Sequence, residues 1–166
     1  MPDRPHLVIT GLMGVGKSTL AAALARDRGW VMSDSDTDIE ALFGQSGAAI
    51  AAAGGVDVLH RLEAAVLLGA LAGDEPRVIA AAASIVEDEW CVRALRRRAF
   101  VVVLSAELDV VLARMETGRH RRDMSASELT ELAARRARSF EQVADLTLDA
   151  TSPPATLVAE VTRGVG

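Results

Sequence analysis

GLMGVGKST, residues 11–19, carries a G-x-x-x-x-G-K-[ST] pattern on Gly11, Gly16, Lys17 and Ser18. Glycines let a loop turn so that its backbone N–H groups face a phosphate, and Gly14 adds a third between the pattern glycines. A helix starting at Lys17 would point its positive end at the same spot. Lys17 is then placed to reach the β and γ phosphates of a nucleotide, and Ser18, with Thr19 beside it, to hold Mg²⁺ through its hydroxyl. The flanks agree: residues 6–10 are a short apolar run that reads as a strand, and residues 17–28 are helix-like. Leu20, Ala21, Leu24 and Ala25 share one face of that helix, and Gly29 closes it.

Working outward, strands are predicted at 30–33, 78–81, 100–104 and 146–149. Helices are predicted at 36–43, 57–71, 87–97, 108–115, 128–143 and 153–163. Residues 47–55 are small and broken by glycines, and ETGRHRRDMSAS, 116–127, has no apolar period and reads as an exposed loop. Strands alternating with helices predict a five-stranded parallel sheet covered on both faces. Ligands of such sheets sit at the carboxyl ends of the strands. The glycine loop, the acidic DSD at 34–36 and the alanine-rich end of RVIAAAASIV, 77–86, would therefore share one rim.

The chain has 166 residues, which suits a single domain over 1–166. Half the residues are hydrophobic but only 3% are aromatic, so the core must be built from Ala, Val, Leu and Ile. A net charge of −5 argues against general nucleic-acid binding, although residues 119–122 are locally basic. Cys91 is the single cysteine, which excludes an internal disulfide and a cysteine metal cage. There is no signal-peptide pattern and no apolar run of the roughly 20 residues a membrane span needs. A cytoplasmic monomer with no membrane partner is expected.

Five motifs follow one another in order: GLMGVGKST, DSDTDIE at 34–40, a helix ending HRLE at 60–63, VIAAAASIV at 78–86 and RRARSFEQVADLTLD at 135–149. Together they resemble the shikimate kinase family, small P-loop kinases of the nucleoside-monophosphate-kinase type, over most of the length. The resemblance implies a P-loop NTPase fold using ATP and Mg²⁺. It implies that Asp34 acts on the metal through its water shell, and that Asp36 binds and orients, or deprotonates, the acceptor hydroxyl. It also implies an acceptor-binding segment at about 34–63 and a lid at about 117–126. Arg122 is the nearest match to the lid arginine, Arg114 would pack on the adenine, and Arg136 would grip the acceptor's carboxylate. The bland alternative for Asp34 and Asp36 is capping of the following helix, a role that Asp38 fits better.

The chain departs from the family on the acceptor side. His60 stands where the pattern has a carboxylate-binding arginine, Ala82-Ala83-Ser84 replaces three glycines, and Phe140 replaces a tyrosine. An arginine offers a permanent charge and a planar fork to a carboxylate; a histidine is mostly neutral at pH 7. Alanine Cβ atoms remove the close backbone approach that glycine permits. The expected function is phosphoryl transfer from ATP to a hydroxyl of a small polar acceptor, with a compound other than shikimate favoured. A divergent true shikimate kinase and a nucleotide-binding module without transfer are the alternatives.

Overall fold

The computed structural model describes residues 4–117 and 124–166. β1 (His6–Gly11) is buried along its whole length, and β4 (Ala99–Ser105) at every residue but the last. Leu7 and Ile9 face one apolar cluster while Val8 faces another; Val102 and Leu104 oppose Val101 and Val103 in the same way. A strand covered on both faces reads as an unbroken apolar run, which is why HLVIT and FVVVL look as they do. β2 (Val31–Asp34), β3 (Arg77–Ala80) and β5 (Leu146–Asp149) complete a five-stranded sheet in the order β2-β3-β1-β4-β5. All four pairings are parallel.

α1 (Lys17–Arg28) packs Leu20 and Leu24 on one face of the sheet, joined by Val111 of α6 (Leu108–Thr117), Leu129 of α7 (Ala126–Val143) and Val161 of α8 (Pro154–Val165). The other face is covered by Leu67 and Leu71 of α4 (Val56–Ala72), Leu95 of α5 (Glu89–Arg98) and Phe140 and Val143 of α7. Thus the expected architecture, a parallel sheet with helices on both sides, is the one observed. No described helix is long and apolar enough to cross a membrane.

Two local differences from the sequence reading have physical causes. Residues 47–54, read as glycine-broken, form a helix, α3 (Gly47–Gly54), behind α2 (Ser35–Phe43). The Ser46 side chain caps it by accepting from the Ala49 N–H at 3.2 Å, and Ile50 buries itself with Ile39 and Leu59. Its alanines are the best helix formers, which offsets the terminal glycines. The helix predicted from residue 87 is divided: a 3-10 turn occupies Ala83–Glu87, and Asp88 then caps α5 through the Cys91 N–H at 2.8 Å.

Register places the site. Ala80 of β3 is level with Ile9 of β1 and with Asp34 of β2, so β2 and β3 end at the same height while β1 runs two residues further to Gly11, and all three loops open on one rim. β1 lies between β3 and β4, and the chain turns to opposite sides of it after β1 and after β3. That is the switch point at which open α/β sheets bind ligands.

Candidate active site

The phosphate loop needs its glycines. Gly11, Gly14 and Gly16 have φ of 142°, 74° and 100°, a region L-residues avoid. A Cβ on Gly11 would also lie 2.4 Å from the Leu104 carbonyl oxygen. Gly16 serves as the N-cap of α1, with no side chain in the way of the helix's first N–H groups.

Lys17 folds back over the loop, its Nζ donating to the carbonyls of Gly11 at 2.9 Å and Leu12 at 3.0 Å. Although the residue keeps some exposure, protein atoms surround the ammonium, and burial lowers its pKa to about 8. Asp36, Glu63 and Asp34 pull the other way, and Arg136 adds to the lowering. These four groups and Lys17 therefore share one electrostatic neighbourhood.

Asp34 ends β2 and does two jobs. Its Oδ1 accepts from the N–H groups of Asp36 at 3.0 Å and Thr37 at 3.3 Å, so it is the N-cap of α2. Its Oδ2 accepts from Ser18 Oγ at 2.5 Å. The expectation that Asp38 suits the cap better is therefore corrected: Asp34 stands at the turn, while Asp38 lies inside the helix, its pKa raised by partial burial. Ser18 and Asp34 together offer hard oxygen atoms suited to Mg²⁺, which takes few protein ligands beside substrate phosphates. No group of three or more His, Cys, Asp or Glu side chains able to cage a metal occurs among the described residues. Loop and donor set thus fit Mg²⁺ and a nucleotide.

Arg114, in the last turn of α6, donates to Val15 O at 3.0 Å and Ala150 O at 3.4 Å. It ties the phosphate loop to the chain after β5, on the flank opposite β3. Thr19 is exposed on the first turn of α1. Arg122, the lid candidate, lies outside the described residues.

On the β3 side, the alanines are laced in by hydrogen bonds. Ala81 N–H extends the sheet to Ile9 O at 2.9 Å. Buried Thr10 Oγ1 lies 3.4 Å from the carbonyls of both Ala81 and Ala82, and Ala82 N–H donates to Ser35 Oγ at 3.3 Å. Ser84 donates to Glu63, both buried. Ala82 has φ −58° and ψ 153°, ordinary extended backbone. Ala83 is buried as the 3-10 turn begins. This loop takes its path without the left-handed freedom that glycine supplies.

His60 is half-buried on α4. It lies three residues before Glu63, hence on the same helix face. Arg136, only 3% exposed, makes an ion pair with Glu87: Nε and Nη2 donate to one carboxylate oxygen at 3.0 and 2.9 Å. Arg135 Nε reaches the other oxygen at 2.8 Å. Burial would raise the Glu87 pKa, but the hydrogen bonds from Arg135 and Arg136 outweigh it and hold the carboxyl below its ordinary range.

Three groups were missed at the sequence level. Glu63 stands in the HRLE motif yet was given no role, and Ser84 was weighed only as a replaced glycine. Glu87 carries no local signal at all, since its partner is 49 positions away.

The shikimate kinase family model matches residues 13–165. A shikimate kinase of Symbiobacterium thermophilum is 34% identical over 145 residues, covering 84% of this chain and 83% of that protein. One of Xylella fastidiosa is 31% identical over 159 residues, covering 92% of this chain and 88% of its own length. In fold, the chain is similar to the shikimate kinase of Acinetobacter baumannii in complex with shikimate, with a TM-score of 0.88 at 22% identity over 99% of this chain and 94% of that one. The chain belongs to the shikimate kinase family, P-loop phosphotransferases that use ATP and Mg²⁺ and act on an alcohol group.

Proposed function

We propose that this chain phosphorylates a hydroxyl of a small polar acceptor that is not shikimate, or is a relative of it gripped differently. One observation carries the reading: the Lys17–Ser18–Asp34 arrangement is complete, while the acceptor side has His60, alanines and an arginine committed to Glu87. ATP supplies the phosphoryl group when bound, and Mg²⁺ neutralises its charge. Lys17 holds the β and γ phosphates, moving its ammonium from the loop carbonyls of Gly11 and Leu12. Ser18 and Asp34 orient the metal. Asp36, beside Lys17, orients the attacking hydroxyl and accepts its proton. Phosphoryl transfer needs positioning and charge neutralisation more than covalent help, so these side chains suffice. Gly11, Gly14 and Gly16 shape the cradle, with Thr19 at its edge and Arg114 fixing its adenine-side flank. Arg122, by the family resemblance, would stabilise charge on the transferred phosphoryl group, and Ala82, Ala83, His60 and Arg136 border the acceptor.

A second reading, a divergent true shikimate kinase, is favoured by the relatives bearing that name. A coupled ADP-release assay over a panel of hydroxylated acids and neutral polyols separates the two. Transfer to a polyol with shikimate inert supports the first. Lys17→Ala should abolish whatever transfer is found, and undiminished activity in that variant would sink the mechanism. His60→Arg combined with glycines at 82–84 should raise turnover of shikimate.

A further inference from the structure

Lys17 feels three carboxylates, Asp36, Glu63 and Asp34, and one guanidinium, Arg136. Asp34 belongs to the metal side through Ser18, which leaves Asp36, Glu63 and Arg136 for the acceptor side. Among the described residues Arg136 is the guanidinium that Lys17 feels, and its Nε/Nη2 edge is already filled by Glu87. Glu87 is held in place from three directions. The 3-10 turn Ala83–Glu87 delivers it straight from the alanine loop, Arg135 takes its second oxygen, and Arg136 is almost wholly buried. Two guanidinium groups on one carboxylate keep it ionised, so a ligand acid at Arg136 would have to compete with a fixed carboxylate for the same donors.

We propose that Glu87 acts as an internal carboxylate that occupies Arg136, and that the acceptor is consequently an uncharged polyol and not an acid. The inference rests on the phosphotransfer reading above, which it narrows to a substrate class. Glu87 is a specificity residue in this account: it selects by taking the donors that a ligand acid would need. The competing role, a prop that orients Arg136 toward a ligand acid, predicts the opposite sign when Glu87 is removed.

The test compares shikimate with its methyl ester, which keeps the ring and hydroxyls and lacks the charge. Titration calorimetry with Mg·ADP present gives the Kd for both ligands on the full chain, on Glu87→Gln and on Glu87→Ala. The wild type is expected to bind the ester more tightly than the acid. Both variants should shift the acid-to-ester preference toward the acid by about tenfold or more. A preference that stays where it was, or moves toward the ester, overturns the proposal, as does binding of neither ligand by any of the three proteins. Failure of the parent reading looks different: ADP release would be absent with every polyol, whatever the variants do to the binding ratio.

Discussion

On the nucleotide side of the crevice, the path of the phosphate loop is set by backbone: three glycines at positive φ and a helix start at Gly16. On the acceptor side it is set by side chains reaching across elements: Thr10 to the alanine carbonyls, Ser35 to Ala82, Ser84 to Glu63, and Glu87 to Arg135 and Arg136. Backbone geometry of the first kind tolerates almost no substitution, because a Cβ or a lost cap removes it outright. Cross-links of the second kind can be exchanged pairwise, one polar partner for another, without moving the sheet. On the proposed reading, this contrast would let the fold keep its phosphate chemistry while its acceptor changes.

The sharpest break of the comparison is Lys17→Ala. Removing the ammonium that lies over the phosphate loop should lower kcat by about 10²–10³-fold, measured by ADP release with any working acceptor. Unfolding midpoints should move far less than kcat, since the ammonium's partners are two loop carbonyls and not the core.

Gly11→Ala comes next. Its Cβ would meet Leu104 O at 2.4 Å on backbone at φ 142°, so β1 and β4 must part or the loop must rebuild. A strained backbone of this kind costs about 1–3 kcal/mol, seen as a lowered urea midpoint together with weakened Mg·ADP binding.

Nucleotide affinity should also carry the signature of Lys17 in its pH dependence. With burial holding the free ammonium at about 8, the side chain is charged below that pH and loses its proton above it. A bound phosphate raises the pKa, so binding takes up a proton in the alkaline range. The Kd for Mg·ADP should be flat below pH 8 and rise above it, by up to about tenfold per pH unit, as calorimetry at several pH values would record. A flat profile to pH 9.5 would remove Lys17 from the phosphate site.

The smallest effect is expected at Ala82→Gly on the opposite side. Ala82 sits at φ −58° in ordinary backbone, and a glycine loses only the entropic advantage of alanine. The cost should be about 0.5–1 kcal/mol in urea unfolding, with nucleotide binding unchanged.

How far the sequence reveals this molecule follows the same division. Local features were legible: α1 at Lys17–Arg28 and β5 at Leu146–Asp149 lie where periodicity and Gly29 put them, and the glycine loop announced its function. α3 was obscured because Gly47, Gly54 and Gly55 read as breakers, while its cap at Ser46 and its burial of Ile50 against Leu59 are tertiary facts. Asp34 was read as a metal-side residue or a cap, and the structure makes it the cap as well as the partner of Ser18, because one carboxylate has an oxygen for each. The pairing of Arg136 with Glu87 was invisible. Only the fold brings α7 against the turn after β3, and neither residue's neighbours in the chain hint at the other.

The most direct test of the central claim, an intact phosphate side facing a rebuilt acceptor side, is ADP release with saturating Mg·ATP and millimolar shikimate, run beside Mg·ADP binding on the same preparation. The account predicts firm Mg·ADP binding with shikimate turnover far below the roughly 1–100 s⁻¹ of working kinases. Turnover of shikimate within that range would contradict it and return the acceptor side to the family's own substrate.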